Sequence, residues 1–184
     1  MNGLFNIRVF GDNFLKKKSK DINIFDHKIK ETIKKMVKTM YFYNGVGLAA
    51  PQVGLNLNLF IIDVGTIERK KRRAIEFINP QIVSKFGTFT VEEGCLSVPG
   101  VFAKIQRYKK IVVSAFKKNG YHFTFEADNL LSSAIQHEMD HLKGILFFEK
   151  LTKLNRIPLQ RKIKNIKKNT KNGVNIREEK SYYE

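Results

Sequence analysis

The sequence predicts an α+β fold, with antiparallel sheets around a central helix and further helices near each end. Three observations carry this. Ile29, Ile33, Met36 and Met40 recur at helical spacing early in the chain. The middle, from about 57 to 127, is a run of β-branched and aromatic segments punctuated by turn residues. A second helical pattern, Leu130 to Lys143, follows those strands.

Taken in order, Asp26 reads as an N-cap and the first helix as about 27–43, ending near Asn44-Gly45. "GVGLAAPQVG" (45–54) carries glycines and Pro51 and reads mostly as loop. "LNLFIIDV" (57–64) is a strand, "ERKKRR" (68–73) a solvated turn, and "AIEFINPQIV" (74–83) and "FTVEEG" (89–94) two more strands. "EEGCLSVPG" places Cys95 between Gly94 and a turn at Pro99-Gly100. Residues 110–127 form a hairpin about Asn119-Gly120, a pair suited to the positive φ of a tight turn. Leu130 to Lys143 is capped by Asp128 or Asn129 and closed by Gly144. "ILFF" (145–148) reads as a strand, and a last helix spans about 156–168 with Pro158 in its first turn. Residues 1–168 form one domain, and 169–184, without periodicity, a loose tail.

The length of 184 residues suits one domain with a real core, and no repeat or linker divides it. No apolar run reaches 18 residues and the N-terminus lacks a continuous apolar stretch, so neither a membrane span nor a signal peptide is expected. A single cysteine cannot form an internal disulfide and fits a reducing, cytoplasmic setting. The formal charge of +17 reflects lysines spread along the chain. One segment stands apart: Lys150 to Lys171 holds nine Lys or Arg and no acid. It reads either as a solvated helix or as contact with a polyanion.

"AIQHEMDHLKGILF" (134–147) contains His137-Glu138-x-x-His141. Residues four apart share a helix face, so two imidazoles can point at one ion. Glu138 sits about 100° round from His137, where a general base for an attacking water would stand. Catalytic zinc sites use three protein ligands. Phe147 stands where one peptidase group has its third His, and Phe cannot ligate. Glu149 follows the expected strand; His27 and His122 read as solvated or structural. Cys95 remains. A lone cysteine is often a small buried side chain, but the incomplete half-site and its strand-to-turn context favour a ligand role.

"GVGLAAPQ" (45–52), "EGCLS" (93–97) and "QHEMDH" (136–141) together resemble peptide deformylase, from the first helix to about Leu154. The resemblance implies hydrolysis of the N-formyl group from the initiator formyl-methionine of nascent polypeptides, releasing formate. It implies Cys95, His137 and His141 as ligands of one divalent ion per chain, ferrous iron by family habit, with zinc, nickel or cobalt able to substitute. Glu138 would be the acid/base. The Gln52 amide and the Leu96 N–H would face the formyl oxygen, and Gly47 would line the substrate's path. Leu130 and Ala134, seven and three residues before His137, fall on the metal face and leave room for a methionine side chain. By resemblance Val46, Val91 and Ser133 join that wall, although Ser133 is more polar than the wall calls for. Glu93 would pair with Arg107 and hold the "GCLS" strand. "VPGVFAKIQR" departs from the best-studied bacterial form, which has an Arg near Phe102, so a peptide-backbone contact differs here.

Two other readings compete. A metallo-endopeptidase is disfavoured by Phe147 and by Cys95 as third ligand, and would cut casein internally. A basic ribosome- or RNA-binding protein with a spent site is disfavoured because every chemical position is filled. In some relatives a basic C-terminal helix tethers the enzyme near the ribosomal exit tunnel, the partner expected here besides formylated nascent chains. The enzyme is expected to be monomeric.

Overall fold

The computed structural model describes residues 3–170. Helix α1 (His27–Phe42) starts where Asp26 accepts a hydrogen bond from Ile29 N at 2.9 Å. It buries Ile29, Ile33, Met36 and Met40, the stripe that the spacing predicts. Strands β1 (Gly47–Ala49), β2 (Leu59–Asp63), β3 (Ala74–Cys95), β4 (Val98–Phe116) and β5 (His122–Asp128) form one antiparallel sheet in that order. A one-turn helix α2 (Val64–Ile67) follows β2, capped by Asp63, which accepts from Thr66 N.

β2 explains the layering. All five of its residues are buried, and they alternate between two cores. Leu59 and Ile61 pack with the apolar face of α1, while Phe60 and Ile62 pack toward helix α3 (Asn129–Leu142). Side chains along a strand alternate faces, so a strand with a helix on each side must be apolar throughout. Phe60 and Phe77 stack across β2 and β3 with centroids 4.8 Å apart. α3, between that sheet face and the β3–β4 ribbon, is buried almost all round from Leu131 to Leu142. Gly144 ends it with φ 72°, its backbone pressed against Lys16, so a side chain there has no room.

Several sequence expectations change. "GVGLAAPQVG" is not mostly loop: Gly47–Ala49 pairs with β2, and Ala50–Val53 is a 3-10 turn. The two strands expected at 74–83 and 89–94 are one: Ser84 to Thr88 pairs regularly with Val112 to Tyr108 of β4, and the register shifts fall earlier, between Ile78 and Gln81 and between Ile82 and Ser84. Such bulges take up extra residues without ending the strand. The hairpin at Gly120 forms, but β4 reaches back to Val98. The turn after Cys95 is therefore Leu96–Ser97, with Cys95 opposite Val98, and Pro99-Gly100 lies inside β4. "ILFF" is no strand; Phe147–Lys150 is a 3-10 turn whose rings face the core. Asp128 holds the N-cap position of α3 without a side-chain bond.

The last helix is broken. α4 (Lys153–Arg156) gives way to a 3-10 turn at Ile157–Leu159 containing Pro158, and α5 runs Gln160–Asn169. Pro158 supplies no N–H, which suits a helix start rather than an interior. Ile163 is buried with Val98, Val101, Ile105 and Phe148, and Leu159 and Ile166 pack beside it. Thr170, assigned by sequence to the tail, is buried, and its hydroxyl donates to Phe10 O at 2.9 Å. The rest of that tail, 171–184, lies outside the described residues. Among the described residues no helix is long and apolar enough to cross a membrane.

Candidate active site

Three elements converge on one point. α3 presents His137 and His141, their rings 5.0 Å apart between centroids. The end of β3 presents Cys95 from the tight turn that begins at Leu96. The ligand atoms of Cys95, His137 and His141 lie within 4.8 Å of one another, and Cys95 Sγ is 3.2 Å from His141 Nε2. His137 Nδ1 is held by Glu93 at 2.9 Å, so Nε2 is the nitrogen left for a ligand. Phe147, which cannot ligate, stacks its ring on His137 at 6.0 Å instead. His27 and His122 are exposed and remote, the latter on Ser114 at 2.7 Å.

Glu138 lies beside this cluster, buried, with Oε2 lacking a hydrogen-bond partner among the described residues. Its position explains Gly47. A Cβ there would stand 2.5 Å from Glu138 Oε1 and 2.9 Å from Ile62, so only glycine lets β1 pass the carboxyl. Gln52 is fixed by its own turn: Oε1 accepts from Ala49 N at 2.8 Å. Its Nε2 thereby points at Cys95 Sγ, 3.6 Å away, and at Ser97 Oγ, 3.3 Å away. Leu96 is half-buried in the turn next to the thiol.

Behind the cluster is an ion network. Arg107 Nε and Nη2 donate to the two Glu93 oxygens at 2.6 and 2.8 Å, and Nη1 donates to Asp140 at 2.5 Å. Lys150 reaches Asp140 from outside at 3.1 Å. The Glu93–Arg107 pair is the one expected; Asp140 and Lys150 were missed. Asp140 lies within the "QHEMDH" motif, and an acid one turn from a ligand histidine was the only sequence signal for it. Ser133 is corrected too: its hydroxyl donates to Glu93 at 2.9 Å, so it braces the network rather than lining an apolar wall. Of the other residues expected in that wall, Val46 and Leu130 are exposed and Val91 and Ala134 half-buried.

Electrostatics follow from burial and these contacts. Burial pushes the Glu138 carboxyl up to about 7. Burial would also raise Glu93, but hydrogen bonds from Arg107 and His137 outweigh it and hold Glu93 at about 2. Burial lowers His141 well below its ordinary value, helped by the charge of His137. For His137, burial is opposed and overcome by the contacts with Cys95 and Glu93, which raise it.

The donor set fits a divalent transition-metal ion: a thiol and two imidazoles converge, one imidazole oriented by a carboxylate, with an unpaired carboxyl oxygen alongside. The polypeptide deformylase family model matches residues 4–157. The chain belongs to the peptide deformylase family. Its relatives include the peptide deformylase of Thermotoga maritima, 39% identical over 169 residues, 91% of this chain and 99% of that protein. That of Chromobacterium violaceum is 41% identical over 165 residues, 90% and 97% of the two chains. Among solved structures, the peptide deformylase from Legionella pneumophila superposes with a TM-score of 0.82 at 39% identity, covering 90% of this chain and 96% of that one. That from Synechococcus elongatus in complex with actinonin gives 0.78 at 36% identity, covering 88% and 85%. The α+β fold with its central helix is the fold of these deformylases.

Proposed function

We propose that this chain is a metal-dependent hydrolase that removes the N-formyl group from the initiator formyl-methionine of nascent polypeptides. The observation that carries the reading is the convergence of the Cys95, His137 and His141 ligand atoms within 4.8 Å, beside the Glu138 carboxyl. Those three residues would hold one divalent ion, ferrous iron by resemblance to the family, with zinc, nickel or cobalt able to take its place on a thiolate and two imidazoles. When bound, the ion acts as a Lewis acid on the formyl carbonyl and lowers the pKa of a water toward about 7.

The chain's own groups do the rest. Glu138 takes the proton of the attacking water as its oxygen bonds to the formyl carbon. Gln52 Nε2, together with the Leu96 N–H, donates to the formyl oxygen as it becomes negative. The C–N bond then breaks, Glu138 passes the proton to the departing amine, and formate and the free methionine terminus are released. Gly47 leaves room for Glu138 and for an extended substrate, while Val46, Val91, Leu130 and Ala134 flank the methionine side chain. Glu93, oriented by Arg107, fixes His137.

The test is formate release from a formyl-Met peptide by protein loaded anaerobically with iron, with nickel and cobalt as alternatives. We expect about one ion per chain, turnover of the peptide, and no internal cleavage of casein. Cys95→Ser should lose both metal and activity. Metal-loaded protein that leaves the peptide intact would overturn the reading.

We further propose that the enzyme works as a cytoplasmic monomer tethered to ribosomal RNA by α5. Arg161, Lys162, Lys164, Lys167 and Lys168 are exposed while Ile163 faces the core. Because α5 helps bury Phe148 and Val98, deleting it would damage the core; charge reversal is the cleaner probe. Lys164→Glu/Lys167→Glu/Lys168→Glu should keep full peptide activity, weaken ribosome co-sedimentation and flatten its salt dependence. Unchanged sedimentation would exclude the tether.

A further inference from the structure

A cavity of about 330 Å³ opens between α3 and the β3–β4 ribbon. Cys95, His137, His141 and Glu138 do not line it, so it is separate from the cluster. Its apolar side is made by Ile82 and Val83 of β3 and Met139 of α3. The size is at the lower end of the range for small-ligand sites, about 300–1,000 Å³.

Its charge is unbalanced. Arg107 at the floor is used by Glu93 and Asp140, and Lys150 at the edge is used by Asp140. Lys85 and Lys143 line the same cavity, and among the described residues neither has a carboxylate within ion-pair distance. Lys85 Nζ rests over the Tyr108 ring, 4.6 Å from its centroid, and both lysines are exposed. Of the four cations that line it, Arg107 is paired with Glu93 behind the wall and with Asp140 in it, and Lys150 with Asp140, which leaves the two positive charges of Lys85 and Lys143 unpaired among the described residues. Like charges gathered at one cavity repel, and an anion of matching charge relieves them.

We propose that this cavity binds a small phosphomonoester, its head among Lys85, Lys143 and Lys150 and its organic part against Ile82, Val83 and Met139. A phosphomonoester carries about −1.5 to −2 charges near pH 7, which matches the surplus. A carboxylate, or one phosphodiester of a nucleic acid, carries a single charge and matches half of it. Lysines suit this ligand as mobile point charges around a tetrahedral head.

The experiment uses the full metal-loaded chain with a hydroxamate blocking the metal cluster, so that phosphate cannot be captured there. Phenyl phosphate is titrated by calorimetry, with benzoate and phenol as controls. We expect one phenyl phosphate per chain, bound more tightly than benzoate, and no binding of phenol. Lys85→Glu/Lys143→Glu should weaken phenyl phosphate at least about tenfold while leaving peptide deformylation unchanged. Lys85→Gln/Lys143→Gln serves the same purpose if the reversal disturbs folding. Phenyl phosphate should also raise the Tm of the parent more than that of either double variant at the same concentration, as ligand linkage requires. Absence of binding, or equal binding by parent and variant, overturns the proposal. So does binding of a short single-stranded RNA that is lost in the variant while phenyl phosphate does not bind, because the lysines then belong to a polyanion surface.

Discussion

Two stripes of α3 carry buried polar side chains under opposite conditions. Ser132, Gln136 and Asp140, spaced by four, face β4 and are fully engaged. Gln136 accepts from Tyr108 N and donates to Tyr108 O, Ser132 donates to Tyr108 O, and Asp140 takes Arg107 and Lys150. His137, Glu138 and His141 face β1 and the Cys95 turn. There Glu138 Oε2 and His141 Nδ1 are buried without a partner among the described residues. An unpaired buried polar group costs about 1–3 kcal/mol, so a fold keeps one only where something else recovers the loss. The β4 stripe holds geometry, and the cluster stripe is built for a ligand and a reaction.

If that contrast is right, the largest effect comes from the cluster stripe and falls on rate alone. Glu138→Ala should reduce kcat about 10²–10⁴-fold, while metal content and urea stability stay equal or rise. In the parent, kcat/KM should fall on the acid side as Glu138 is protonated and can no longer accept a proton. That limb should lie at or below the value of about 7 set by burial, because a bound cation draws a neighbouring carboxyl down. A rate independent of pH from 5 to 8 would remove Glu138 from the role.

The β4 stripe should answer in stability. Arg107→Met removes the buried cation shared by Glu93 and Asp140, leaving Glu93 to His137 and Ser133 and Asp140 to Lys150, and should cost about 3–5 kcal/mol in urea unfolding. Replacing all three with apolar residues of similar size should restore most of it. If the single variant is as stable as the parent, the network is not what holds β3 to α3.

Gly47→Ala sits between the two behaviours. Its methyl would enter the space of Glu138 Oε1. A displaced general base should lower kcat by about a hundredfold, with less effect on KM, because positional error alone is enough. The smallest effect belongs to Ser133→Ala. It removes one donor from a carboxylate that keeps Arg107 and His137, and should cost about 1 kcal/mol with activity retained. Loss of methionine selectivity in that variant would return Ser133 to the pocket wall and contradict the geometry.

Much of this was legible in the sequence. The buried stripe of α1, its Asp26 cap and the Gly120 turn rest on interactions within a few residues, and the pattern records them directly. The same locality placed His137 and His141 on one face of α3. The misreadings share a cause. β3 was cut in two because Ser84, Lys85 and Gly87 between the expected strands are poor strand formers, and the extent of β4 was missed because Pro99 and Gly100 look like a turn. Pairing along the ribbon, Val91 to Ile105 and Glu93 to Ala103, overrides those local signals. Ser133 was misplaced because its helix position says which way it points but not that Glu93 waits there.

The sequence by itself determined the half-site on the helix, the residue types able to complete it and the α+β class, since each follows from local periodicity and side-chain chemistry. Only the tertiary structure decided that Cys95 Sγ meets His141 across 46 positions and that Gln52 reaches the same sulfur across 43. It also decided that Arg107 binds Asp140 across 33 positions and that Gly47 is the spacer for Glu138. Such contacts depend on where the whole chain carries each segment, and no window of a few residues contains that path.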